Sequence, residues 1–145
     1  MKTVLISHRE MLVVIATSLK VTDEDLKCFQ SNFNINYCLH FHMKNDNMYD
    51  FDSIDSYNTM TRLRTEIMKI VRQKSKKGNV DKIHLVLATS SDFAFYLAQD
   101  FSKQHDPEVI VYQYSNISAE KYPWGISCNS APEKAVILNK SNCNL

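Results

Sequence analysis

Glycine and proline are scarce in this sequence: 145 residues hold two glycines, Gly78 and Gly125, and three prolines. Neither GxGxxG nor GxxxxGK[ST] can be written with two glycines so far apart, which excludes a glycine-rich phosphate loop. The four cysteines, Cys28, Cys38, Cys128 and Cys143, make no CxxC pair, so no zinc ribbon is expected. No apolar run approaches the ~20 residues of a membrane-spanning helix. Charge of one sign is also lacking: 17 Lys and Arg stand against 16 Asp and Glu, a formal net charge of +1. That balance argues against long DNA or RNA as a partner. Nothing suggests a membrane partner or a bound cofactor.

With 44% hydrophobic and 23% charged residues, the composition is that of an ordinary globular protein. The length predicts one domain over residues 1–145, large enough to bury about 70% of its extended-chain surface without a metal or disulfide. The N-terminal apolar residues are interrupted by His8, Arg9 and Glu10 and lack a signal-peptide pattern. The expectation is therefore a cytoplasmic protein with free thiols.

The run Met11-Leu12-Val13-Val14-Ile15-Ala16 is continuous, apolar and rich in β-branched residues, which predicts a strand buried on both faces. Residues 3–6 form a weaker candidate strand. Thr22 then offers an N-cap for a short helix ending near Gln30, with acids in its first turn. Residues 37–42 alternate and predict a strand with Tyr37, Leu39 and Phe41 inward and His40 and His42 on the other face. A polar loop is expected over 44–58. Met60, Leu63, Ile67, Ile70 and Val71 form one helical stripe over 59–76, with Gly78 as its stop.

The block from residue 83 is the most informative. Ile83-His84-Leu85-Val86-Leu87-Ala88 reads as a central strand, and Thr89-Ser90-Ser91-Asp92 as a turn that caps a helix carrying Phe93, Ala94, Leu97, Ala98 and Phe101. Val109 to Tyr114 is the next strand. Strand, helix, strand at this spacing is a βαβ unit with a parallel pair. With the preceding helix, the core reads β-α-β-α-β: an α/β, Rossmann-like open sheet, mostly parallel, with helices on both faces. The chain after Tyr114 reads as irregular, with a last strand near residues 135–138.

Ligands of such sheets sit beyond the carboxyl ends of the strands. Those ends carry Thr17 and Ser18, then Thr89, Ser90 and Ser91, then Tyr114, Asn116, Lys121, Tyr122 and Trp124. Hydroxyls together with backbone N–H groups at a helix N-terminus bind phosphate without glycine. An aromatic such as Tyr122 or Trp124 can stack on a base, worth ~1–3 kcal/mol. Each also has a plain structural use, as an N-cap or as a packed ring.

Residues 83–124 resemble the C-terminal part of the SAVED domain, a relative of the CRISPR-associated Rossmann-fold sensors. The resemblance rests on the strand Ile83 to Ala88, the helix opening Asp92-Phe93-Ala94-Phe95-Tyr96-Leu97, the strand Val109 to Tyr114 and Tyr122 beyond it. It implies a sensor of cyclic oligonucleotides in prokaryotic antiviral defence, with Thr89, Ser90 and Ser91 lining the nucleotide pocket. A full SAVED domain has two Rossmann-like halves, and this chain has room for one. A homo-oligomer, or a separate effector subunit, would then supply the second half.

Two other classes stay open. One is a nuclease that opens a cyclic oligonucleotide without metal, for which His84 and Lys121 are the nearest candidates. The other is an interaction protein that binds no nucleotide. The pair His40 and His42 and the loop acids Asp50, Asp52 and Asp55 read as surface groups rather than metal ligands. Lys69, Arg72, Lys74, Lys76 and Lys77 form a basic run that reads as a solvated helix face.

Overall fold

The computed structural model describes residues 8–50, 52–129 and 136–138. In chain order the strands and helices are β1 (Glu10–Ala16), α1 (Lys27–Asn32), β2 (Ile35–His42), α2 (Tyr57–Lys77), β3 (Lys82–Ala88), α3 (Ser91–Ala98), β4 (Glu108–Gln113), β5 (Trp124–Ser127) and β6 (Val136–Leu138). The sheet order is β2-β1-β3-β4-β5-β6. The first four strands are parallel, while β5 and β6 run antiparallel to their neighbours. The α/β open sheet, mostly parallel and Rossmann-like, is as the βαβ pattern requires.

β1 is central because six of its seven residues are apolar and can be buried on both faces. Its odd positions Met11, Val13 and Ile15 join Ile83, Leu85, Phe93 and Leu97 under α2 and α3. Its even positions Leu12, Val14 and Ala16 join Phe29, Val86, Ile110 and Tyr112 under α1. The chain steps from β1 to β2 in one direction and then returns past β1 to β3. Crossovers of one hand must therefore put α1 on one face and α2 and α3 on the other.

Several local expectations are revised. The acids after Thr22 form a turn, not a helix: Thr22 and Asp25 bond each other reciprocally, and α1 starts only at Lys27. α2 begins inside the expected loop because Ser56 caps it, its Oγ accepting from the Thr59 N–H at 3.2 Å. At its other end Gly78 is right-handed, and Asn79 takes the left-handed position at φ 51°. Gly78 is needed for space, since a Cβ there would lie 2.8 Å from the Tyr37 ring. Tyr37 itself stays 40% exposed because β2 is an edge strand. The segment after Tyr114 holds β5, where Gly125 lies opposite Tyr112 and lets the strands close. The candidate strand at residues 3–6 lies outside the described residues.

Candidate functional site

The winding of the sheet reverses between β1 and β3, so their carboxyl ends are followed by loops that diverge to opposite faces. This is where an open α/β sheet has its crevice. Thr17 and Ser18 leave β1 toward the α1 face, while Thr89, Ser90 and Ser91 leave β3 toward α3. The two loops are stapled: the N–H groups of Thr17, Ser18 and Leu19 all point to the Ala88 carbonyl, the first two at 3.0 Å. The Thr17 hydroxyl donates to Thr89 Oγ1 at 2.7 Å. These three amides are therefore not free for a phosphate.

Hydroxyls remain. Ser18 is 5% exposed, and its Oγ has no hydrogen-bond partner. Ser90, the residue before α3, has a buried Oγ likewise without a partner in bonding geometry. The neighbouring Asp92 carboxyl is held below its usual range by Ser90 and by the Phe93 amide, which donates to Oδ1 at 2.9 Å. A buried hydroxyl without a partner costs about 1–3 kcal/mol, so Ser18 Oγ marks a place prepared for another molecule or for water. Ser91 is exposed on the first turn of α3.

Beside this crevice, on the α1 face, lies a cavity of about 240 Å³ lined by Leu19, Lys20, Asp25, Ala88, Tyr114 and Tyr122 among others. Tyr122 is buried and its phenol is pushed up by that burial. Tyr114 is half-exposed and meets Tyr122 edge-on, with ring centroids 5.6 Å apart. Asn116 and Lys121 close the loop between β4 and β5: Lys121 Nζ reaches the Asn116 carbonyl at 3.5 Å, and Ser115 N–H donates to the Lys121 carbonyl at 2.8 Å. Lys121 lines a second hollow next door with Glu24 and Asp25. Trp124 stands at the same end of the sheet but on the other face. It pairs with Gln113, and Gly125 pairs with Tyr112, whose ring points to the α1 side. Thr17 and Thr89 thus meet at the switch point with Ser18 and Ser90 next to them in the chain, Tyr114 and Tyr122 line the cavity on the α1 side, and Trp124 does not face it.

This rim also collects exposed apolar side chains. Leu19, Met48, Tyr57, Tyr114, Ile117 and Trp124 are all at least 38% exposed and all follow strand ends or open the elements beside them. Apolar groups concentrated at one end of a molecule mark a surface that meets something else.

The family model for SAVED, the SMODS-associated and fused to various effectors sensor domain, matches residues 1–127. The chain belongs to the SAVED family. The match takes in β1, β2 and α2 as well as the block from residue 83 that carried the resemblance. No curated protein matches the sequence. As a SAVED chain it is a sensor domain, and among the described residues no helix is long and apolar enough to cross a membrane.

The other chemistry weighed from the sequence sits away from the SAVED crevice. His84 is fully buried in mid-strand, some four residues or ~13 Å from the carboxyl end of β3. Its Nε2–H donates to Glu10 Oε1 at 3.1 Å, and the Tyr112 hydroxyl donates to Nδ1 at 2.8 Å. The carboxylate can only accept, so the neutral tautomer satisfies both bonds. Burial holds His84 below the usual histidine range, outweighing the Glu10 contact. Phe29 and Phe33 cover its ring.

His40 and His42 share a face of β2, with ring centroids 5.3 Å apart. No group of three or more metal-ligating side chains forms among the described residues. The basic run is divided: Arg72 is drawn to Asp106 at 3.1 Å and Asp100 at 3.3 Å, while Lys74, Lys76 and Lys77 stay exposed. The helix period alone did not reveal that network, because both acids lie past α3.

Proposed function

We propose that this SAVED sensor captures a cyclic oligonucleotide at the crevice between the carboxyl ends of β1 and β3, as part of a prokaryotic antiviral defence system. The observation that carries the reading is the buried, unpartnered Ser18 hydroxyl, next in the chain to Leu19, which with Tyr114 and Tyr122 lines a cavity at this end of the sheet. Unspent hydroxyls accept ribose or donate to phosphate oxygens, and the tyrosine rings offer faces for bases. Thr89, Ser90 and Ser91 form the opposite lip, Thr17 holds the two lips together, and Asn116 and Lys121 stand at the far wall. Trp124 belongs to the rim that meets the second half rather than to the pocket.

The exposed apolar rim supports closure by a second Rossmann-like half, supplied by another copy of the chain or by an effector subunit. Lys20 and Lys121 stand against Asp25 and Asp92 at this end. Recognition therefore rests on stacking and hydrogen bonds more than on net charge. The cleavage reading finds no support in His84, which is sealed in the core.

The experiment is thermal melting of the chain with a panel of cyclic di-, tri- and tetranucleotides, with the integrity of each nucleotide followed in parallel. A ligand at 100 times its dissociation constant adds about 2.7 kcal/mol of stability. Stabilisation with intact nucleotide is the expected result for one member of the panel. Loss of the nucleotide would make the protein a nuclease, and no shift with any member would make it an interaction protein. Replacing Ser90 and Ser91 together by Glu is expected to abolish the shift with the circular dichroism unchanged; retained affinity would move the pocket elsewhere.

A further inference from the structure

Beyond its first two residues, the edge strand β2 lacks the devices by which edge strands avoid one another. From Tyr37 to His42 it holds no Lys, Arg, Asp, Glu or Pro, and its register against β1 is regular. The single irregularity is at its start, where Asn36 is extra to the pairing of Glu10–Ile35 and Met11–Tyr37. α1 has six residues and packs through Phe29 on Tyr112 and Tyr122, toward the other side of the sheet. Cys38 and His42 are therefore exposed on that face of β2. Natural monomers place charge, proline or a bulge along such an edge, because its unpaired amides and carbonyls template another strand.

On the other face, a groove of about 500 Å³ runs between β2 and the end of α2, lined by Asn36, Tyr37, Leu39, Lys74, Lys77 and Gly78 among others. It lies at the amino end of β2 and it is basic. Lys74 and Lys77 are exposed and make no ion pair among the described residues. Beyond the carboxyl end of β2 the chain turns through Asp50, Asp52 and Asp55, all exposed, passing from Tyr49 on the α1-side core to Ile54 in the core under α2.

We infer that β2 pairs with β2 of a second copy, antiparallel about a two-fold axis perpendicular to the sheet. Such an axis keeps the α2 faces on the same side and reverses the strand direction. It sets the basic groove of each copy against the acidic turn of the other, twice by symmetry. The self-complementarity of charge selects a second copy over an unrelated strand, since both halves of the match are on this chain. The resulting sheet has twelve strands, and although the acidic turn lies between Met48 and Tyr57 of the rim, Tyr114, Ile117 and the crevice stay outside the contact, so the inference does not rest on the sensor reading.

The test is sedimentation of the full chain without nucleotide, at concentrations up to about 100 μM. The wild type is expected to sediment as a dimer. Cys38→Lys places like charges across the axis and is expected to weaken the dimer at least tenfold. Lys74→Glu with Lys77→Glu is expected to do the same, and adding Asp50→Lys with Asp52→Lys to that variant to restore it. Tyr114→Ser with Ile117→Ser, on the rim, is expected to leave the dimer intact. A monomeric wild type overturns the inference. So does a dimer that survives Cys38→Lys and the Lys74/Lys77 reversal, or one that only the rim variant breaks. Far-UV circular dichroism checks that each variant is folded, and the two lysine reversals, both at exposed positions, keep the test valid if Cys38→Lys is not.

Discussion

Replacing Tyr112 by Phe removes one oxygen and keeps the ring. That oxygen donates to His84 Nδ1 at 2.8 Å, and His84 is 0% exposed. The ring packs edge-on against Phe29, with centroids 4.7 Å apart, and Phe preserves that contact. The variant therefore isolates the loss of a donor from a buried acceptor. No water can replace the donor beneath Phe29 and Phe33. Moving the proton to Nδ1 would not help, because it would leave the Glu10 carboxylate without its donor and Nδ1–H without an acceptor. Orphaning a buried acceptor costs about 1–3 kcal/mol. Unfolding entropy of about 2.1 cal/mol/K per residue gives roughly 0.3 kcal/mol/K for this chain, so 1 kcal/mol moves Tm by ~3 °C. The expected loss is about 3–9 °C in a calorimetric scan at pH 7.5, with nucleotide-induced stabilisation unchanged, because the hydroxyl points into the core and away from the crevice. A Tm within 1 °C or so of wild type would refute the claim that His84 is a satisfied, neutral core residue.

Four further outcomes follow from the same geometry. Burial depresses His84 and His40 below the free value of 6.5, so the unfolded chain binds protons first; stability is complete above pH 6.5 and falls as pH drops below it toward the folded values, read as a declining Tm between pH 7.5 and 5.5. Ser18→Ala removes a hydroxyl that has no partner, so it is expected to leave Tm unchanged or raise it by up to ~1 kcal/mol equivalent, while weakening the cyclic nucleotide shift; a clear loss of Tm would mean that the hydroxyl is bonded after all. Gly125→Ala would put a methyl 2.8 Å from Ile110 Cγ2 and 2.9 Å from the Val111 carbonyl, costing about 1–3 kcal/mol in denaturant unfolding. Arg72→Met leaves Asp106, whose side chain is 4% exposed, without its guanidinium, an expected loss of about 1–3 kcal/mol at pH 7 that shrinks as acid protonates the carboxyl.

The sequence by itself determined the frame of this protein. The apolar run at residues 11–16 and the run at 83–88, apolar but for His84, are short and rich in aliphatic residues and read as strands covered on both sides, and a 3.6-residue stripe from Met60 to Val71 reads as a helix lying on such a sheet. Those local periods give the parallel α/β order and place Thr17, Ser18 and Thr89 to Ser91 at strand ends, because every strand of a βαβ series points the same way.

What the tertiary structure decided is which groups meet across the sheet and which are already satisfied. The turn of Leu19, Ser18 and Thr17 amides onto Ala88, far away in the sequence, removes them from phosphate binding, and no local signal could announce it. The same holds for Tyr112 and Glu10 on His84, for Asp106 on Arg72, and for the face of Trp124, which depends on its pairing with Gln113. Strand and helix formation is a matter of residues a few positions apart. Satisfaction of a hydroxyl, a histidine or a carboxylate depends on partners that only long-range packing brings within 3 Å.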